Sequence, residues 1–266
     1  MFKKYWALFR QNLINSVQWR AELIVWVLLY IIPTLILMLI WTQILTPGKS
    51  LHGFDQSQIL TYYWLTLVVR SATGVYFEGW RIREIREGKI DYHLTKPISF
   101  FKQVVFVDLG GKFFYLGLSL PAFGLLLLVS QWWFDFQLVN PSLLSLISFL
   151  GLLFMGYWLE FLLSYITVLF TFWFTGAEGL QHFKWIMISV FSGAFIPIPF
   201  LPTWLKNLAQ LLPFKYLYMI PITVIQGTYQ LTWLDLAYLS GSLIGLSLIT
   251  QLIWKYAMYQ YTSAGG

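Results

Sequence analysis

Six of the chain's seventeen basic residues, Arg81, Arg83, Arg86, Lys89, Lys96 and Lys102, fall in the single stretch RIREIREGKIDYHLTKPISFFK. Glu84, Glu87 and Asp91 stand among them. Charge of both signs at this density is either a solvated loop or a docking surface for a soluble partner, and it does not suit a plain patch for anionic lipid. A second set of candidates is Arg70 and Glu160, which lie in otherwise apolar segments. Ionisable groups at membrane depth are costly and face a partner or a wet cavity. Their positions are compatible with an ion pair inside a helical bundle. A place on a transport path, and snorkelling to opposite surfaces, are the other readings.

The remaining inventory argues against catalysis. The chain has no Cys, which excludes disulfides, thiolate metal sites and a Cys nucleophile. His52, His93 and His182 are far apart, with no metal-ligand spacing, so no metal site is expected. No Ser-His-Asp order, His-Glu-x-x-His pattern or carboxylate pair is present. Gly48-Lys49-Ser50 resembles the end of a phosphate-binding loop, but Gln43 stands where the first glycine is required. The chain itself is therefore expected neither to hydrolyse ATP nor to be an enzyme.

The elements that must position these groups are written in the composition. Hydrophobic residues make up 58% of the chain and charged ones 11%, with a mean hydropathy of +0.68. A soluble domain carries roughly a quarter charged residues, so lipid is the solvent here. The 14 Trp and 16 Tyr suit the two membrane interfaces. The net charge of +6 is no sign of nucleic acid, because the basic residues flank apolar runs.

Phe2, Trp6, Phe9, Leu13 and Val17 recur three or four apart, with Lys3, Lys4, Arg10 and Arg20 mostly off that stripe. This predicts an amphipathic helix lying in the interface over residues 1–22, or else a helical extension of the first span. The charge within it does not read as a signal peptide. Six spans follow: 23–45, with Pro33 inside; 59–80, weakened by Arg70 and Glu78; 113–134, with Pro121 inside; 143–174, longer than a bilayer needs; 185–201; and 236–254. Residues 202–230 are apolar but broken by Pro202, Pro213, Pro221 and Gly227. Two half-helices around proline predict a segment that enters the membrane and returns, or a surface helix.

Six spans place both termini on one side. With that side inside, thirteen basic residues are cytoplasmic (Lys3, Lys4, Arg10, Arg20, the six of the loop, Lys112, Lys184 and Lys255) and three external (Lys49, Lys206 and Lys215). This is a strong positive-inside bias. The expected fold class is all-α: a single polytopic membrane domain with six transmembrane helices, an N-terminal interfacial helix and a re-entrant helical pair before the last span.

The basic stretch, with Arg86-Glu87-Gly88-Lys89-Ile90-Asp91, Leu94 and Lys96-Pro97-Ile98-Ser99, resembles the first cytoplasmic loop of type-2 ABC exporter permeases. It looks closest to a bacterial branch of small six-span permeases. Phe200-Leu201-Pro202, Trp204-Leu205, Leu212-Pro213-Phe214, Tyr216, Pro221 and Gly227 are similar to the proline-broken region before the last span of that group. The resemblance implies that Arg81, Arg83, Glu84, Arg86, Glu87, Gly88, Lys89 and Asp91 form a coupling elbow seated on an ABC ATPase subunit. That subunit would bind ATP and Mg, and this chain would hold no cofactor. It further implies a second permease chain, identical or paralogous, a bacterial inner-membrane location and outward movement of a drug, lipid or glycan precursor. In the resembling region Pro202, Trp204, Pro213, Phe214, Tyr216 and Pro221 are expected to form an outer gate. The competing readings are a lipid-acting membrane enzyme, which would need more acid-base groups at one depth, and a non-transporting membrane scaffold.

Overall fold

The computed structural model describes residues 2–46, 48–134, 140–174 and 176–261; Met1 of the expected interfacial helix and the last five residues of the expected domain lie outside these. Among the described residues the chain is helical, with one isolated bridge between Leu51 and Phe54. The helices are α1 (Phe2–Gln18), α2 (Arg20–Ile44), α3 (Gln56–Thr73), α4 (Glu78–Arg86), α5 (Ile90–Leu94), α6 (Phe100–Phe134), α7 (Leu143–Leu169), α8 (Ala177–Phe191), α9 (Thr203–Leu211), α10 (Met219–Ile225) and α11 (Trp233–Gln260). Short polar side chains start several of them. Asp55 and Gln58 form a reciprocal cap on α3, and Thr232 and Asp235 one on α11, so orphan amides at both N-termini are satisfied. Pro33 and Pro121 lie inside helices that run through them.

Four segments are long and apolar enough to cross a membrane: 20–44, 100–133, 143–172 and 233–260. A fifth is gained if α9 and the segment 213–225, bent by 76° at Leu212, are one broken span. Two of the six expected spans fall short. The second stops at Thr73 rather than Trp80, because Gly74 to Phe77 leave the helix. The fifth stops at Phe191, and a 15-residue helix reaches about 22 Å against a hydrocarbon core of about 30 Å. The third is longer than expected. It starts at Phe100, inside the charged stretch, and its 35 residues reach about 52 Å.

The core explains the modest hydropathy of α3. This helix is wrapped by α2, α6, α7 and α10, and Ile59, Leu60, Tyr62, Tyr63 and Val69 are all buried. It meets protein rather than lipid, so hydroxyls are tolerated wherever a partner is at hand. Tyr62 donates to the Gly193 carbonyl at 2.8 Å, and Trp41 donates through Nε1 to the Tyr63 hydroxyl at 2.8 Å.

The N-terminal helix ends at Gln18, and Arg20 and Glu22 belong to the first turn of α2. It lies along α6 rather than standing alone. Tyr5 stacks on Phe106 at 4.9 Å, and Asn12 donates to the Val107 carbonyl at 2.6 Å. Trp6, Ile14 and Val17 remain exposed and apolar, as lipid contact requires. Gly110 makes the close approach possible, since a Cβ there would sit 2.4 Å from the Phe9 carbonyl oxygen. Small residues serve this purpose in membrane helix packing. Gly110→Ala is expected to lift α1 from α6, and a bimane or spin probe placed at position 6 should then report a more mobile helix. Unchanged probe mobility would count against the packing.

Candidate functional site

The charged stretch folds into a helix-turn-helix. Gly88, at φ +70°, takes the left-handed position after α4. The Lys89 amide donates to the Glu84 carbonyl at 2.9 Å and the Gly88 amide to that of Ile85 at 3.1 Å, the Schellman pattern that ends a helix. The chain then reverses into α5 and enters α6 after Pro97 and Ser99.

What holds this elbow rigid is a buried polar network. Arg81 is 1% exposed, with its guanidinium over the rings of Trp80 at 4.3 Å and Phe100 at 5.4 Å. Its Nη1 donates to Glu84 Oε2 at 2.6 Å and lies 2.9 Å from His93 Nε2. His93 Nδ1 is 3.0 Å from Gln103 Oε1, and Gln103 Nε2 donates to the carbonyls of His93 at 2.8 Å and Ile98 at 2.7 Å. Burial lowers the pKa of Arg81, yet an arginine stays charged at any physiological pH. Burial also pushes the Glu84 carboxyl up, but the hydrogen bond and charge of Arg81, with His93 beside them, outweigh it and leave the group below its ordinary value.

Three further ties fasten the elbow to its surroundings. Arg86 pairs with Glu178 in the first turn of α8 at 2.5 Å, Lys4 of α1 donates to the Pro97 carbonyl at 2.7 Å, and the Tyr261 hydroxyl bonds Asp91. Arg83, Arg86, Glu87 and Lys89 are left exposed on its outer surface, with Lys89 and Glu87 paired at 2.6 Å.

The structure thus divides the eight expected elbow residues. Arg83, Arg86, Glu87 and Lys89 point outward, whereas Arg81 is a core residue and Glu84 is half-buried beneath it. Arg81 is held inside by two aromatic faces and, through Nη1, by a carboxylate and an imidazole, while its Nε is buried with no hydrogen-bond partner. His93, not anticipated as a site residue, contacts it, and Gln103, likewise unanticipated, holds His93 in place. The sequence placed Arg81 and Glu84 in one charged stretch but did not pair them.

Behind the elbow a cavity of about 980 Å³ opens between α2, α3, α6, α7 and α8. Arg70 and Glu160 both line it, but the expected ion pair between them does not form. Among the described residues neither has an oppositely charged partner within 4.0 Å. The Arg70 guanidinium instead lies over the Tyr30 ring at 4.0 Å, and Glu160 Oε2 is buried with no hydrogen-bond partner.

The pair that does form joins Lys184 of α8 to Glu78 at the start of α4, at 2.6 Å, with Lys184 also donating to Ser164 of α7 at 2.6 Å. Asp108 and Lys112, one turn apart on α6, face the same space. Asp108 accepts from the Tyr157 hydroxyl at 3.0 Å, and Lys112 donates to the Gly74 carbonyl. Their presence inside an apolar helix was the available signal.

At the other end of the bundle the proline-broken region is two helical pieces, as expected, with its bend before Pro213. Pro202 precedes the first turn of α9, Trp204 is 65% exposed, Phe214 is half-buried and Pro221 is buried within α10. Tyr216 departs from the expectation of a free tip. It is 2% exposed, and its hydroxyl donates to Asp235 at 2.8 Å. The α11 capping carboxylate is the acceptor a buried phenol needs.

A helical, multi-pass membrane protein with a charged elbow at one end, and behind it a largely apolar cavity holding a few ionisable side chains, suits a transporter's membrane component. The family model for the ABC-2 family transporter proteins matches residues 20–265, and the chain belongs to that family. Membership implies association with ABC ATPase subunits. No curated protein matches the sequence significantly.

Proposed function

We propose that this chain is the permease subunit of an ATP-driven exporter, moving an amphipathic substrate outward while a separate ABC ATPase subunit binds ATP and Mg. In this reading α3 and α8 are short inner crossings that complete six, both termini and the elbow are cytoplasmic, and a second permease chain, identical or paralogous, completes the pore in a bacterial inner membrane. The observation that carries the proposal is the elbow. Its exposed charges, Arg83, Arg86, Glu87 and Lys89, sit on a frame locked to α1, α6 and α8. A force applied to that frame is passed to several helices at once. The broken segment 202–227 serves as the outer gate, with Trp204 and Phe214 as its mobile rings and Tyr216 as its anchor on α11.

The test is affinity purification of the tagged full-length chain from its native membrane. An ATP-hydrolysing subunit should accompany it. Misplacing a charge at a desolvated contact costs about 2–5 kcal/mol, so Arg83→Glu with Lys89→Glu should cut recovery of that subunit roughly thirtyfold or more. Recovery unaffected by the reversals, or no such subunit with the natural chain, would refute the docking role. The absence of native Cys makes topology equally accessible. Lys89→Cys should react with an impermeant thiol reagent only after cells are opened, and labelling of intact cells would reverse the orientation.

A further inference from the structure

We propose that the cavity behind the elbow binds one amphipathic molecule whose head group carries both a positive and a negative charge, the anion at Arg70 and the cation at Glu160. The two residues line one space and do not touch. The other charges facing the interior of that space are already engaged: Lys184 with Glu78 and Ser164, Asp108 with Tyr157, and Lys112 with a backbone carbonyl and with the charge of Asp108 one turn away, from where it also acts on Glu160 without a salt bridge. Glu22 and Arg83, at the rim, are exposed to solvent.

What is left, among the described residues, is one cation that rests on the Tyr30 ring with no carboxylate within 4.0 Å, and one carboxylate in no salt bridge, whose Oε2 is buried without a hydrogen bond. Neither state is stable at membrane depth without compensation. A ligand of single charge would satisfy one and strand the other. A zwitterion satisfies both and adds no net charge to the bundle.

The volume agrees. About 980 Å³ exceeds what a few bridging waters need and falls in the range of small-molecule sites. Trp26, Tyr30, Tyr115 and Trp185 line the walls. Aromatic rings hold an alkylammonium by cation–π attraction and pack against the start of an alkyl chain. As a binding site this stands on the cavity alone; as the entry point of an exported substrate it rests on the permease reading.

The experiment uses the full-length chain in maltoside micelles and a single-chain phosphocholine bearing a photoreactive group next to its head. Crosslinks should map to α3 and α7 peptides around Arg70 and Glu160. Dodecylphosphocholine should displace the probe at a concentration at least tenfold lower than dodecyl phosphate or dodecyltrimethylammonium does. Arg70→Gln and Glu160→Gln should each weaken probe binding at least tenfold. Should either variant fail to fold, the competition on the natural chain decides alone. Equal displacement by a singly charged amphipath overturns the proposal, as does failure to crosslink at the cavity, which would leave it to water. A two-chain phosphatidylcholine that competes as well as the single-chain zwitterion identifies a resident bilayer lipid; competition by the single-chain form alone identifies a soluble amphipath. Loss of zwitterion selectivity with ATPase recovery intact would sink this site and leave the permease reading standing. Selective binding with no ATPase recovered would do the reverse.

Discussion

Lys184→Met is expected to lower the stability of the folded chain by about 3–5 kcal/mol, and Glu78→Leu combined with Lys184→Met to recover most of the loss. The Lys184 and Glu78 side chains are only 11% and 5% exposed, so water from the cavity is a poor replacement for the missing partner. Removing the ammonium leaves a carboxylate buried at the junction of α4, α7 and α8, and also takes a donor from Ser164. Removing both charges takes away the unpaired group along with the pair. The double variant is therefore the discriminating one, because a general intolerance of substitution at these positions would make it worse than either single change. Titration with denaturing detergent, followed by tryptophan fluorescence, measures all three. Additive losses in the double variant would show that the two side chains are not coupled.

Arg81→Met is expected to loosen the elbow and, with it, recruitment of the ATPase. The variant forfeits hydrogen bonds to a charged group, worth about 1.5–3 kcal/mol, and the lower end applies because Glu84 can turn toward water. Met keeps the apolar stem between Trp80 and Phe100, so the loss reports polar ordering rather than packing. Hydrogen exchange over residues 84–94 should accelerate while exchange in α7 and α11 stays as it was. Exchange that does not change would remove Arg81 as the organiser. The same network sets the pH response. The Glu84 carboxyl is held below its ordinary value, so its contribution is fully present above the unfolded carboxylate value of about 4.3 and disappears as pH falls through the lower folded value. Glu84 should therefore leave the elbow as firm at pH 5 as at pH 8 and loosen it only in stronger acid.

Much of this was legible along the chain, and the particular residues show why. Long apolar runs with few charges mark membrane helices, so α2, α7 and α11 were readable from length and hydropathy. Gly88 between two helical patterns marked the turn of the elbow, because a left-handed position favours glycine. Pro213 marked the break between α9 and the segment that follows it, since proline removes a donor and clashes with the preceding turn. These are local constraints, set by a residue and its near neighbours.

The pairing of charges was not local. Arg70 and Glu160 were matched by depth, but depth says nothing of rotation about a helix axis, and the fold turned Arg70 onto Tyr30 and left both lining one cavity without pairing. Glu78, read only as a blemish in the second span, found Lys184, 106 residues away in sequence. Arg81 looked like a surface charge until Trp80, His93, Phe100 and Gln103 closed around it.

The sequence by itself determined that this chain lives in lipid, is helical, turns at Gly88, breaks at Pro213 and carries a dense mixed-charge stretch. Helix formation, hydrophobic transfer and backbone stereochemistry act over a few residues and leave their marks in order along the chain. Only the tertiary structure decided which charges are buried, which are shared and which face open space. An ion's energy depends on what surrounds it in three dimensions, and those surroundings come from helices far apart in the chain.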